Sequence, residues 1–298
     1  MSLQVIYYLQ FVAVFILMTW AVYLPFRAGQ LYNGPIYCMA IGGYFSAFVA
    51  RDFGWPFGLA LIATVVLGAI MGFIPALGFC RTTGLVTAMA SIALIYIIQS
   101  VIRNLDFLGG SRGFWNIPKV GYLLPLAYGI VLIVGLFIYR FDHSRFGRAA
   151  EAMLVDPELA AAIGIDTRRL SVALLIISSV IGALAGAIFA FTLGTIFPES
   201  FGFALLLYVW SMMYIGGRYT MWGAIISVPI LWGLPQWVPH AVAEYTNILY
   251  GALLIIIIIV RPEGIVSRGM LQWVRKMSEK HNRKESNENN LHHKPTNR

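Results

Sequence analysis

Titratable side chains inside the hydrophobic segments are the first test of what chemistry this chain could perform. Proteins that move protons or ions place carboxylates or histidines there, because charge transfer needs a group that titrates or chelates. In this chain the acidic residues lie in polar gaps or in the C-terminal tail, and Glu199 and Glu244 lie at the predicted ends of apolar segments. We therefore expect a neutral path whose energy comes from a partner protein.

Motifs for catalysis or cofactor binding are missing from the sequence. It contains no G-x-x-x-x-G-K-[ST] phosphate loop and no H-E-x-x-H metal pair. Cys38 and Cys80 have neither the spacing of a zinc site nor that of a disulfide framework, and we expect both to be small buried residues. The sequence thus predicts no catalytic residue, no metal and no cofactor, and a protein that is not an enzyme.

A loop with two short predicted helices, Gly147–Gly164, is the candidate docking site. The first helix is predicted over Arg148–Val155; Asp156 is then an N-cap, Pro157 the first helical position of the second helix, and Gly164 its C-terminal stop. Helices of this length are marginal in water, so well-formed ones must pack against something else. Five alanines would let another surface approach closely: Ala149, Ala150, Ala160, Ala161 and Ala162. The alternative is a solvated loop that rests on its own membrane domain.

Composition indicates the elements that must position this loop. The chain has 298 residues, of which 59% are hydrophobic and 11% charged, against about 45–50% and 25% in soluble domains. A span needs about 20 mostly apolar residues, and such segments recur along the chain. The fold class is therefore an all-α polytopic membrane protein with about nine transmembrane helices, the count lying between about eight and ten.

Nine segments are predicted to span the membrane. They are Val5–Leu24, Gly34–Ala50, Phe57–Leu77, Gly84–Ile102, Gly121–Tyr139, Leu170–Leu193, Phe201–Ile215, Met221–Val238 and Tyr245–Val260. The seventh is short and the eighth contains Pro229 and Pro235, so either could be broken or re-entrant. We assign residues 1–264 to a membrane domain and residues 265–298 to a basic cytoplasmic tail, an interfacial helix followed by a disordered end.

The distribution of basic residues predicts the orientation. Lysine and arginine concentrate on the cytoplasmic side of membrane proteins. With the N-terminus outside, all but four of the 21 basic residues lie inside, and the four outside are Arg51, Arg103, Arg112 and Lys119. The net charge of +8 is then a topology signal, and nucleic-acid binding is not expected because the charges are dispersed.

Four motifs in the same order resemble the branched-chain amino acid ABC permease family. Along the chain they are LGGSRGFWNIP, then GRAAEAMLVDPELAAAIGIDTRRL with the following GALAGAIFA, then YIGGRYTMWGAIISV and RPEGI. With the second-span motif, the resemblance covers roughly Gly29 to Ile265. It implies that the Arg148–Gly164 helices insert into a separate ATPase subunit, so the implied ATPase-coupling residues are Arg148, Glu151, Asp156, Pro157, Ala161 and Gly164.

The resemblance also implies partners and a substrate class. Permeases of this family pair with a second related permease and receive substrate from an extracytoplasmic binding protein in the bacterial cell (inner) membrane. Their cargo is branched-chain or related amino acids, with urea and short amides in sister systems. We therefore expect a permease subunit without its own ATPase. A passive channel or an ion-coupled carrier is the alternative from another class, and a membrane enzyme is a distant third.

The second span departs from the family pattern. Gly42, Gly43 and Tyr44 keep its motif, but the lead-in GQLYNGPIYCMAI is altered, which leaves the cargo open if this helix lines the path. Possible substrate-path residues are Gly42, Gly43, Tyr44, Gly109 and Gly110. Two G-x-x-x-G pairs, Gly68 with Gly72 and Gly182 with Gly186, predict close helix crossings, with a moving hinge as the sharper alternative.

Overall fold

The computed structural model describes residues 3–82, 84–218 and 220–237, and side chains as far as residue 233. Ten α-helices make up almost all of this part of the chain. They are α1 (Leu3–Phe26), α2 (Gly34–Asp52), α3 (Phe57–Phe79), α4 (Leu85–Arg103), α5 (Leu123–Asp142), α6 (Arg145–Val155), α7 (Pro157–Ala162), α8 (Thr167–Leu193), α9 (Phe203–Gly216) and α10 (Trp222–Trp237). Three 3₁₀ turns, Asp106–Leu108, Gly110–Arg112 and Pro198–Phe201, lie in the connections.

The predicted spans correspond to observed helices wherever the structure describes them. Eight of the nine fall there and become α1 to α5 and α8 to α10, which confirms the all-α membrane fold. Five of these helices, α1, α3, α4, α5 and α8, are long and apolar enough to cross a bilayer. The ninth span, Tyr245–Val260, and the tail of residues 265–298 lie outside the described residues.

The short seventh span and the proline-containing eighth span differ in length and continuity. α9 has 14 residues and is about 21 Å long at 1.5 Å per residue, shorter than the hydrocarbon core of about 30 Å. α10 continues as one helix through Pro229 and Pro235. The two helices pack as a hairpin in which Gly216 lies against Gly223 and the Ser227 hydroxyl donates to the carbonyl of Met212 at 2.7 Å.

Helix α8 is the centre of the bundle. It contacts α1, α2 and α3 extensively, and its buried positions include Ser178, Ser179, Gly182 and Gly186. At 27 residues it is about 40 Å long, so it is longer than a membrane crossing. It begins at the Asp166 N-cap, whose carboxylate accepts from the Arg169 amide. Helix α8 also contacts α6 and α7 of the preceding loop.

Both G-x-x-x-G pairs lie at close helix crossings, as the sequence predicts. A Cβ on Gly182 would lie 2.6 Å from the carbonyl oxygen of Pro35, and one on Gly186 would collide with the carbonyl of Met39. On α3, a Cβ on Gly72 would lie 2.5 Å from the Cβ of Ser179. These glycines let α2 and α3 approach α8 at backbone distance, where van der Waals contact stabilises helix association in lipid.

The two ends of the bundle separate the basic residues as the topology requires. Three of the four residues predicted to lie outside, Arg51, Arg103 and Arg112, lie at one end. Arg51 donates to the carbonyl of Trp115, whose indole donates to the carbonyl of Arg112, and Arg103 pairs with Glu199 at 3.0 Å. Residues 114 and 196 also form an isolated β-bridge there. The loop with α6 and α7 lies at the opposite end, against the C-terminal ends of α1 and α5.

Candidate functional site

Helix α6 starts three residues before the predicted position. Ser144 is its N-cap, because the Ser144 hydroxyl accepts from the amides of Phe146 and Gly147 at 3.1 and 3.3 Å. Side-chain caps of this kind satisfy amides that have no partner within the helix. The predicted start at Arg148 is therefore wrong, and α6 forms three turns directly after α5.

Helix α7 has the predicted boundaries at both ends. The Asp156 carboxylate accepts from the amides of Glu158 and Leu159 at 2.9 and 3.0 Å, and Pro157 occupies the first helical position, where its missing N–H costs nothing. Gly164 follows the helix with φ +89°, a left-handed conformation that glycine adopts without strain. The cap, the proline and the stop residue of the sequence prediction are confirmed.

Four residues link α6 to the spans, and we call them the ion cluster: Tyr23, Arg27, Asp142 and Glu151. The Arg27 guanidinium, at the end of α1, lies 3.5 Å from Asp142 of α5 and 3.7 Å from Glu151 of α6. The Tyr23 hydroxyl donates to the other Asp142 oxygen at 2.9 Å. The Arg27 and Asp142 side chains are 7% and 14% exposed, against 40% for Glu151. Two spans and the loop helix therefore share one charge centre.

The pairing at the centre of the ion cluster is ionic, without a direct hydrogen bond. Arg27 Nε and Asp142 Oδ1 are buried and neither has a hydrogen-bond partner, since 3.5 Å is longer than the usual 2.7–3.2 Å. A buried pair with unmet hydrogen bonds is less stable than a fully satisfied one. A small movement of α6 would therefore change the energy of the ion cluster.

The inner face of α6 also fits tightly against the spans. Gly147 lies so close to α5 that a Cβ there would lie 2.9 Å from the Asp142 Cα, and Gly29 lies 3.4 Å, measured in the same way, from the Leu154 Cα. Ala150 is fully buried and Met153 is 4% exposed. The packing and the ion cluster together fasten α6 to α1 and α5.

The outer face of the loop exposes three large apolar side chains. Val155, Leu159 and Ile163 are 82%, 60% and 69% exposed, and they follow each other at four-residue intervals; we call them the apolar row. Ala161 and Ala162 are exposed beside them, whereas Ala160 is buried. Large apolar side chains exposed together on a loop outside the membrane-length helices make it a candidate interaction site.

The other predicted coupling residues have distinct positions on this element. Arg148 is exposed and its guanidinium donates to the carbonyl of His143 at 3.3 Å. Asp156, Pro157 and Gly164 are exposed and shape the backbone of α7. Glu151 faces the membrane domain through Arg27. The structure thus brings the predicted residues together on one element but divides them between its two faces.

The predicted path residues of α2 face the inside of the bundle. A Cβ on Gly42 would lie 2.7 Å from the Cα of Ala183, and one on Gly43 3.0 Å from the carbonyl oxygen of Gly186. Tyr44 is buried, and its hydroxyl donates to the carbonyl of Ile196 at 3.3 Å. Contact with α8 therefore explains why positions 42 and 43 are glycines, and the part of all three residues in a substrate path stays a prediction.

The predicted path residues Gly109 and Gly110 lie in the connection after α4, where Gly109 separates two 3₁₀ turns and Gly110 begins the second one. Both have positive φ, +83° and +53°, and a Cβ on Gly110 would lie 3.0 Å from the carbonyl oxygen of Arg103. They fold the connection back on the end of α4. Their contact with a substrate is likewise a prediction.

The sequence analysis missed the ion cluster and the apolar row. Opposite charges at the predicted inner ends of the first and fifth spans, Arg27 and Asp142, were a usable signal for the first. For the apolar row, the four-residue spacing of Leu159 and Ile163 along α7 was a partial signal, whereas Val155 belongs to α6, which ends before the extended Asp156. Among the residues that the structure describes, no group of three histidine, cysteine or acidic side chains could hold a metal ion.

A family model described as the permease component of the branched-chain amino acid transport system matches residues 4–258. The chain belongs to this family. Membership and the membrane-length helices make it a multi-pass protein of the inner membrane. The family description names the permease component of a transport system.

Individual relatives agree with the family. The high-affinity branched-chain amino acid transport system permease protein LivM of Escherichia coli K12 is 25% identical over 261 residues, which cover 76% of this chain and 61% of LivM. LivH of the same strain is 32% identical over 134 residues, 44% of this chain and 43% of LivH. The fructose import permease protein FrcC of Rhizobium meliloti is 24% identical over 247 residues, 76% and 66% of the two chains.

The chain spans about three fifths of the length of the LivM proteins that it matches. No solved structure matches it.

Proposed function

We propose that this chain is the membrane-spanning subunit of an ATP-binding cassette importer for branched-chain or related amino acids. Its energy comes from a separate ATPase subunit that docks on α6 and α7, so the chain itself is not an enzyme. The observation that carries the proposal is the two-sided construction of that element. One side is fixed to the spans and the other exposes the apolar row.

The exposed side supplies the contact with the ATPase. Val155, Leu159 and Ile163 project from a loop whose inner face already packs against the membrane domain. Burial of a large apolar side chain contributes about 1.5–3 kcal/mol, so the three side chains can form the apolar core of a docking contact. This favours the docking hypothesis over that of a solvated loop.

The fixed side transmits movement. Because Gly147 and Gly29 bring the loop and spans into backbone contact, a displacement of α6 by the ATPase moves α1 and α5 as well. The under-satisfied pair of Arg27 and Asp142 can exchange partners as α6 shifts. The same helices then alternate between two arrangements, as rigid-body transitions at packed interfaces require.

The substrate path follows the partly exposed face of α2. Gly42 and Gly43 set the distance between α2 and α8, and this packing leaves Ile41, Phe45 and Phe48 half-exposed on another side of α2. These side chains are apolar and uncharged, which suits the side chain of a branched-chain amino acid. A second, related permease subunit would close the path on this side, and an extracytoplasmic binding protein would deliver substrate to the end that carries Gly109 and Gly110.

Cargo is the open part of the proposal, because the relatives include permeases named for amino acids and for fructose. Urea or a short amide is the closest alternative. Reconstituted transporter with its binding protein would be offered leucine, urea, acetamide and fructose in separate ATPase assays. Stimulation of ATP hydrolysis by leucine supports the proposal, and stimulation by urea or acetamide alone would make a small amide the cargo instead of an amino acid. Uptake without any ATPase, or driven by a sodium or proton gradient, would identify a channel or carrier instead.

The docking step is tested by placing charge on the apolar row. Val155→Asp/Leu159→Asp is expected to abolish co-purification with the ATPase while the chain itself stays folded, because both side chains are exposed. The matched control is Phe53→Asp, an apolar-to-acid change at a residue that is 64% exposed at the opposite end of the bundle. Normal binding of the ATPase by the double variant would refute the docking assignment.

A further inference from the structure

A basic groove lies between α5 and α8, next to helix α6 of the α6–α7 loop. Its volume is about 820 Å³, within the range of about 300–1,000 Å³ that is typical of ligand sites. Phe137 and Phe141 of α5 line one wall, and Leu174 and Ile177 of α8 line the other. Phe146 and Ala149 of α6 close its lower end. The groove is therefore separate from the apolar row, which faces away from the spans.

Three arginines surround the opening of the basic groove: Arg140, Arg145 and Arg169. Asp166 is the acidic residue among the lining side chains, and it pairs with Arg169 at 2.9 Å. That pair is largely exposed, at 90% and 52%, so it holds Arg169 only weakly. In the described part of the chain, neither Arg140 nor Arg145 has an ion-pair partner. The opening thus has an excess of positive charge.

The walls extend from this charged opening into the apolar part of the bundle. Ile177 lies eight positions beyond Arg169 on α8, which corresponds to about 12 Å along the helix. On α5 the wall continues into Ile133 and Leu136, which are 67% and 57% exposed. An occupant of the basic groove therefore has a charged end at the opening and an apolar end against the hydrocarbon side.

We propose that the basic groove binds an anionic phospholipid of the inner leaflet, with its phosphate between the arginines and its acyl chains along α5 and α8. Charge complementarity and the apolar walls together select this occupant, because a basic pocket between transmembrane helices on the cytoplasmic side fits an anionic headgroup. All three basic residues are arginines, whose planar guanidinium groups bind phosphate in a bidentate manner. The lipid would brace α6 through Phe146 and Ala149.

The test measures lipid affinity of the full chain in detergent. Phosphatidylglycerol and phosphatidylcholine with the same acyl chains are titrated in turn, and binding is followed by native mass spectrometry. We expect the wild-type chain to prefer phosphatidylglycerol. Arg140→Gln/Arg145→Gln should weaken its binding about 25-fold, from roughly fivefold for each arginine near an anionic headgroup, and leave phosphatidylcholine binding unchanged.

Two further variants make the test specific. Arg81→Gln/Arg168→Gln removes the same charge from exposed arginines that do not line the basic groove, and it should bind phosphatidylglycerol as the wild type does. Ala173→Trp fills the groove without changing charge and should weaken both lipids.

Three results would overturn the proposal. Equal affinity of the wild type for the two lipids would do so, as would an equal loss in both arginine pairs. The third is binding of phosphatidylglycerol only after deletion of residues 265–298, which would mean that the C-terminal tail and not a lipid occupies the basic groove.

Discussion

Replacing Arg27 with glutamine removes the positive charge that joins α1, α5 and α6. Asp142 and Glu151 would then share the site without their counter-ion, and Asp142 is only 14% exposed. Breaking a buried ion pair by removal of one partner costs about 3–5 kcal/mol, because an uncompensated charge stays behind. Glu151 is 40% exposed, so its share is at most about 1 kcal/mol. We expect Arg27→Gln to lower the free energy of unfolding by about 3–5 kcal/mol.

A double-mutant cycle separates the ion pair from general damage. Asp142→Asn keeps an acceptor for the Tyr23 hydroxyl and removes the negative charge. Arg27→Gln/Asp142→Asn should therefore be less destabilised than the sum of the single variants, by about 1–3 kcal/mol, since contacting residues couple by such amounts. The measurement is equilibrium unfolding in mixed micelles, with ATPase stimulation in the assembled transporter as the functional readout.

The control for this cycle is the exposed pair at the other end of the bundle. Arg103 and Glu199 are 44% and 57% exposed, so Arg103→Gln should cost less than about 1 kcal/mol. The reasoning is refuted if Arg27→Gln costs no more than this control, or if the double variant equals the sum of its single variants. ATPase stimulation that survives in Arg27→Gln would separate the ion cluster from coupling.

Two further changes test the packing and the loop. Gly182→Leu should abolish the yield of monodisperse protein in size-exclusion chromatography, because its Cβ would lie 2.6 Å from the Pro35 carbonyl oxygen. The control Gly129→Leu should keep the wild-type yield, since nothing lies within 4 Å of a Cβ at that position. Equal yields of the two variants would contradict the close crossing of α2 and α8. Ser144→Ala removes the N-cap of α6 and should lower the stability of that helix by about 1 kcal/mol. Amide hydrogen exchange should become faster at Phe146 and Gly147 and stay the same in α7. Unchanged exchange at Phe146 and Gly147 would contradict the cap.

The membrane helices were predictable because their signal is local. A run of about 20 apolar residues has few alternatives to a helix in lipid, and the observed bounds of α1 to α5 differ from the predicted ones by only a few residues. The start of α6 was missed because Ser144 extends the helix upstream of the motif. Asp156, Pro157 and Gly164 carry their own signals, so α7 was located correctly.

The candidate site was only partly predictable, because its decisive contacts are distant in sequence. Tyr23 and Asp142 are 119 residues apart, and no local pattern says that they meet. A glycine motif also does not show which element the glycines contact. Gly42 and Gly43 could have faced a substrate path, and only the packing of α2 on α8 places them against Ala183 and Gly186. Side-chain direction depends on the whole bundle.

Accessibility of one engineered cysteine tests the central claim most directly. Leu159→Cys would be made in a chain with Cys80→Ser, because Cys80 is partly exposed whereas Cys38 is buried, and labelled with a membrane-impermeant maleimide. The account predicts no labelling in intact cells, labelling in inverted vesicles that lack the ATPase, and protection when the ATPase is bound. Labelling from the outside of intact cells, or equal labelling with and without the bound ATPase, would contradict it.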